Sequence, residues 1–186
     1  MFGNFAWNIN LIMKKLLFIS ITAWLITGCR QSPTDLAFKW STDIKHKILE
    51  DVNLPVDSFS IDSFEHSNFF NVTCYNNGIK TKLFRIRTST GDTGLSIFYS
   101  KDQDFEIVRE LCPVDNRSFE GIRYKGKHLG LAEFRFCDGT LKEQGYRFNE
   151  DVGIWKKWDS IGNLISFKDY GNINSLYGLY TIKYGR

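Results

Sequence analysis

Four cysteines and three histidines carry most of the reactive chemistry available to this 186-residue chain. Cys29, Cys74, Cys112 and Cys137 form no C-x-x-C pair, and His46, His66 and His128 stand far apart, so zinc-type spacing is absent. A thiol nucleophile needs a base within hydrogen-bond reach and a third group to orient that base. Cys137 and His128 are the one pairing a hairpin could bring together, and the sequence offers no third member. Gly94-Leu-Ser-Ile lacks the closing glycine of a nucleophile elbow. Carboxylates are scattered, and neither a phosphate-cradling glycine loop nor a Ca²⁺ loop is present. The expectation is a protein that is not an enzyme, with no catalytic residue, no metal ligand set and no cofactor.

Cys29 differs from the other cysteines in its context. Lys14-Lys15 precedes an apolar run from Leu16 to Ile26, which ends in the small residues Thr27-Gly28 before Cys29. A basic start, a short apolar run and small residues are the layout of a secretory leader. The run is about half of the roughly 20 apolar residues a membrane-crossing helix requires. Leu25-Ile26-Thr27-Gly28-Cys29 resembles the lipobox of bacterial lipoproteins. That resemblance implies cleavage between Gly28 and Cys29, a diacylglycerol on the Cys29 thiol and a fatty acid such as palmitate on the new amino group. It implies a lipid-anchored protein of the cell envelope and, with Arg30 rather than Asp after the cysteine, the outer membrane. Residues 1–12 are uncharged and read as an over-called start, with translation beginning at Met13. Residues 13–28 are then the signal peptide, and 29–34 a lipidated tether whose Arg30–Thr34 stretch reaches about 17 Å.

The leader takes two lysines and no acid with it, so 24 basic and 21 acidic side chains become 22 and 21. That balance argues against nucleic acid as a partner and against a polybasic membrane patch. Outside the inner membrane a disulfide is permitted, but Cys74, Cys112 and Cys137 are expected to be free, buried thiols.

Residues 35–112 read as a helix followed by an antiparallel sheet. From Pro33 to Asp51, Leu36, Trp40, Ile44 and Ile48 recur at i+4, Leu49 and Val52 widen the stripe, and Asn53-Leu54-Pro55 ends it. Period two then takes over at Phe59 and Ile61, Phe70-Val72-Cys74, Lys82-Phe84-Ile86, Leu95-Ile97-Tyr99 and Phe105-Ile107. Asn76-Asn77-Gly78 and Thr90-Gly91-Asp92 are turn sequences between strands. The fold class expected is α+β, mainly β: an N-terminal helix on an antiparallel sheet with one wet face, then a β-hairpin meander.

The meander is read from repeats in residues 118–186. Gly130 to Leu141 aligns with Gly153 to Leu164, the second glycine nine places after the first and a leucine two places later. A third unit starts at Gly178 and a decayed one at Gly94. The aromatics of these units, Phe134 and Phe136, Trp155 and Trp158, Tyr180 and Tyr184, with the connecting strand Leu141–Phe148, resemble the bacterial MORN-variant repeat. The resemblance implies a β-hairpin meander and, through the YwqK-type label many members carry, an antitoxin-like role. Rings of this kind are expected to fill the core, and Trp155, Trp158 and Tyr180 are the candidate binding rings if any face solvent. The leading functional expectation is a lipid-anchored envelope protein with a non-catalytic β-repeat surface for binding or structure. Its partners would be the membrane, through the lipid, and an envelope protein. The alternatives are an antitoxin or immunity protein, and a weak hydrolase or glycan-active enzyme.

Overall fold

The computed structural model describes residues 31–63, 67–112 and 118–185. The leader, with Gly28 and Cys29, and His66 lie outside these.

The first element is helix α1, Pro33–Val52. Proline suits a first helical turn, whose N–H has no partner in any case. After Val52 the chain leaves the helix with Asn53 N donating to the Leu49 and Glu50 carbonyls. The buried stripe is Ala37, Ser41, Ile44, Ile48 and Val52. It is rotated from the expected one, so Leu36 and Trp40 lie on its flank.

Ten strands follow: β1 (Ser58–Ser63), β2 (Phe69–Asn76), β3 (Ile79–Arg87), β4 (Thr93–Tyr99), β5 (Phe105–Glu110), β6 (Ser118–Tyr124), β7 (Lys127–Arg135), β8 (Leu141–Phe148), β9 (Glu150–Trp158) and β10 (Leu164–Asp169). Their order in space is their order in sequence, each antiparallel to the next. The molecule is mainly β with a helix on one face of the sheet. The boundary expected between 112 and 118 falls between β5 and β6, which pair from Phe105↔Tyr124 to Glu110↔Phe119. One sheet therefore runs through it.

The inner face packs on α1. Ile44, Ile48 and Val52 meet Phe105, Ile107 and Ile122, while Ala37 meets Leu129, Leu131, Tyr146 and Val152. A 3₁₀ helix, Ile173–Thr181, adds Leu176 and Leu179 to the second cluster. The C-terminal segment is strapped to α1: Trp40 Nε1 donates to Ile182 O at 3.1 Å, and the Tyr180 hydroxyl to Pro33 O at 3.2 Å. The helix stops short of β1, where Phe59 and Ile61 stay exposed.

The outer face is not simply wet, contrary to expectation. Val108, Phe119, Ala132 and Trp155 form a buried layer there, with Leu95 and Phe134 against it. No second element covers it among the described residues. The layer covers itself because Gly121 and Gly145 have no side chains: a Cβ at either would lie inside contact distance of the Phe119 or Trp155 ring. Those rings lie down across the strands.

The first two expected repeat units contain matching turns. In the β7–β8 turn Phe136 N donates to Thr140 O and Gly139 N to Phe136 O; in the β9–β10 turn Asp159 N donates to Asn163 O and Gly162 N to Asp159 O. Gly130 and Gly153 both have positive φ, +72° and +63°, and both sit where the ladder bulges. The third unit is different. Gly178 and Tyr180 belong to the 3₁₀ helix, where Gly178 lies against the Phe148 ring. Burying Leu176 and Leu179 against the sheet decides that segment. Gly94 sits inside β4 without positive φ, so the decayed unit is not a hairpin glycine either.

The expectation of three free thiols is also corrected. Cys112 and Cys137 form a disulfide, and Cys74 is free. In a meander β5 and β7 run the same way on either side of β6, so their C-terminal ends finish at one edge of the sheet, and the two sulfurs meet there.

Candidate functional site

A concavity with mixed chemistry lies on the inner face beyond the first turn of α1. It is a cleft of about 490 Å³ lined by Thr34, Asp35 and Phe38 of α1, Gln144 and Tyr146 of β8, Ile154 and Lys156 of β9, Asp169 of β10, and Ile173. Strand alternation puts Gln144, Tyr146, Ile154 and Lys156 on the same side of the sheet.

Three backbone features open the cleft. Gly153, at the bulge, lets Ile173 approach so closely that a Cβ would stand 2.5 Å from its Cδ1. Gly153 N donates to Gly171 O at 2.7 Å, and Tyr170 N to Gly153 O at 2.9 Å, which ties the exit of β10 to the bulge. Gly171 N donates to Asp169 Oδ1 at 2.8 Å, fixing that carboxylate at the rim. Asn172, in the left-handed region, then turns the chain into the 3₁₀ helix.

Apolar and polar groups converge here. Phe38 and Ile154 are exposed large hydrophobics at the mouth. Tyr146 is buried, its phenol pushed up to about 12 by burial and then by the charge of Asp35. Asp35, Asp169, Gln144 and Lys156 supply acceptors and donors beside these apolar groups. A mainly apolar lining with a few placed polar groups is the usual make-up of a small-molecule site. Asp35, Phe38 and Asp169 belong to no motif, and Gln144, Ile154 and Lys156 fall inside the repeat segments without being candidate site residues; fold closure alone brings the six together.

The residues singled out from sequence lie elsewhere. Trp155, 2 % exposed, belongs to the outer aromatic layer and donates Nε1–H to Tyr146 O at 3.2 Å, so it is a packing ring. Trp158 is half-buried at the end of β9. Tyr180 is committed to Pro33 O. These three rings do not meet in one place. Cys137 is consumed by its disulfide, which removes the Cys137–His128 pairing. His128 is on β7, opposite Arg123 of β6. His46 is on the exposed side of α1 beside Glu50. Among the described residues no group of histidine, cysteine and carboxylate side chains is placed to hold a metal ion, and no helix is long and apolar enough to cross a membrane.

No protein-family model and no curated protein matches the chain. Two solved structures are similar to it at low level. One is TarM, with a TM-score of 0.33 and 13 % identity, covering 75 % of this chain and 26 % of that one. The other is a mutant of S. aureus TarM in complex with Fondaparinux, alpha-GlcNAc-glycerol and UDP, with a TM-score of 0.34 and 11 % identity, covering 94 % of this chain and 31 % of that one. The chain thus spans about a quarter to a third of their length. These neighbours lend the expected non-catalytic repeat surface and its antitoxin alternative no support, and neither is proposed for the chain. At such TM-scores the likeness carries nothing further, and the function is argued from the cleft.

Proposed function

We propose that the chain is directed at glycans and seats a saccharide in the cleft between α1, β8–β10 and the 3₁₀ helix. The observation that carries this is the lining: the apolar Phe38, Tyr146 and Ile154 beside two carboxylates, an amide and an ammonium group. A sugar ring has the same division, with apolar C–H faces and a rim of hydroxyls that both donate and accept. Asp35 and Asp169 accept from those hydroxyls, Lys156 donates to them, and Gln144 does both. Stacking on the apolar groups supplies the rest.

The test is a saccharide panel assayed for binding and for turnover. Asp35→Asn, Asp169→Asn and Ile154→Glu change exposed side chains, so folding is retained. Each carboxylate variant is expected to weaken retention of the bound sugar by about tenfold, roughly what one charge-assisted hydrogen bond supplies. If no saccharide is retained at millimolar concentration, or if all three variants bind as the parent does, the reading fails.

We propose two further readings of the sequence. One is that a lipid on Cys29 holds the protein at an envelope membrane. Incorporation of a clickable palmitate analogue into the parent but not into Cys29→Ala is expected, and equal labelling rejects it. The other is that the β7–β10 hairpins are MORN-variant units, supported by their matching turns and bulge glycines.

A further inference from the structure

The outer face of the sheet carries a row of charged side chains that neither the core nor the cleft uses. Cross-strand register places Tyr99 beside Glu106, Glu106 beside Arg123, and Arg123 beside His128. One bulge further along, Arg147 stands beside Asp151. All of these lie on the side away from α1.

Each arginine already has one carboxylate. Arg123 Nη2 lies 2.6 Å from Glu106 Oε2, and Arg147 Nε donates to Asp151 Oδ1 at 2.9 Å. A balanced charge ladder would end there. It does not, because three atoms of the row are buried with no hydrogen-bond partner: Arg123 Nε, His128 Nδ1 and Glu106 Oε2, the last held to Arg123 Nη2 only as an ion pair. Buried polar atoms of this kind are rare in folded proteins and point to a missing group.

Arg147 is held in an unusual way. Its guanidinium lies 5.8 Å from the Phe119 ring, 5.8 Å from Phe134 and 5.5 Å from Trp155. The three rings hold the guanidinium beside them, and its Nε–H is taken by Asp151. Phe119 also meets the His128 ring edge-on at 5.4 Å. The result is a fixed set of donors beside an apolar shelf. A tetrahedral oxyanion has acceptors in enough directions to take all of them.

We propose that Arg123, His128 and Arg147 form a second binding site on the outer face, for the oxyanion of a phosphate or sulfate ester. The site is independent of the cleft, which lies on the other side of the sheet. The groups facing His128 are Arg123 and Arg147, then Glu106, Asp151 and Tyr99. In the empty site burial, with the charges of Arg147 and Arg123, holds the imidazole below its ordinary range. A bound dianion offsets those charges and so raises the histidine titration midpoint.

The probe is inorganic phosphate, with sulfate, acetate and chloride as further arms at matched ionic strength, read by the NMR shifts of the His128 ring. Saturable shifts with phosphate or sulfate, a raised His128 midpoint and weaker effects of acetate and chloride are expected. A response to phosphate alone assigns a phosphate ester, and to sulfate alone a sulfate ester. Arg123→Gln and Arg147→Gln should each weaken binding by about tenfold or more, whereas Asp169→Asn in the cleft should leave it unchanged. A His128 signal that responds no more to phosphate or sulfate than to chloride overturns the proposal on the parent protein alone. So does undiminished binding in both arginine variants.

Discussion

At the scale of single residues, Ser41 does most to join the helix to the sheet. It is fully buried in a helix stripe otherwise made of Ala37, Ile44, Ile48 and Val52. Its hydroxyl donates to Ala37 O at 2.8 Å and accepts from Leu131 N at 2.9 Å. Leu131 follows Gly130, whose bulge breaks the ladder and frees that N–H. A Cβ on Gly130 would stand 2.5 Å from the Ser41 oxygen, and its φ of +72° already favours glycine. Replacing Ser41 by alanine strands a buried donor, for which the expected loss is about 1–3 kcal/mol. Urea unfolding should show a lower midpoint with an unchanged slope. Trp155→Ala belongs to the same scale. It empties the space above Gly145 and should cost about 3–5 kcal/mol, measured the same way. Neither partner of these glycines is visible in the sequence. The apolar period identified α1 but gave Leu36 and Trp40 as its inward side, because the periodicity rule discards a serine that a bulge requires.

At the scale of elements, strand existence was legible and the faces were not. The alternating segments from Phe59 to Ile107 all appear as strands β1 to β5. Leu95-Ile97-Tyr99 alternates as strongly as Phe105-Ile107, yet the two sets point to opposite faces: Leu95 packs with the outer layer while Phe105 and Ile107 face α1. A pattern of period two says that a strand has an apolar side, and cannot say which layer receives it. The same limit hid the disulfide, since the pairing of Cys112 with Cys137 follows from β5 and β7 flanking β6. That bond closes a loop with a sequence separation of 25, for which chain entropy gives a stabilisation of about 3 kcal/mol. Cys112→Ala combined with Cys137→Ala should lower the thermal midpoint accordingly. Adding dithiothreitol should lower the parent's midpoint toward that of the variant and leave the variant unmoved.

At the scale of the whole molecule, ten strands in sequential order make an open sheet, and one helix with the C-terminal strap must hold its middle together. Glu120 of β6 sits at that junction. Lys45 of α1 donates to its Oε1 at 2.7 Å and Arg109 of β5 to its Oε2 at 2.6 Å, so one carboxylate links the helix to two strands. Burial by itself raises its pKa, but Lys45 and Arg109 together outweigh this, and the carboxyl titrates below its ordinary value of 4.5. The sign follows from linkage. A carboxylate held more acidic in the folded state contributes stability that is complete above the unfolded value and is lost as pH falls through the lower folded one. The contribution of Glu120 to the urea midpoint is therefore expected to be full and insensitive to pH near neutrality, and to be lost as pH is taken below 4.5. In Glu120→Gln the midpoint at neutral pH should already be lower, and the further drop below that pH should be shallower than in the parent. Equal acid slopes in parent and variant would show that Glu120 takes no part in the coupling of helix to sheet. The acid loss would then belong to carboxylates elsewhere, such as Asp57, Asp138 and Asp159, whose pKa values are lowered by turn hydrogen bonds.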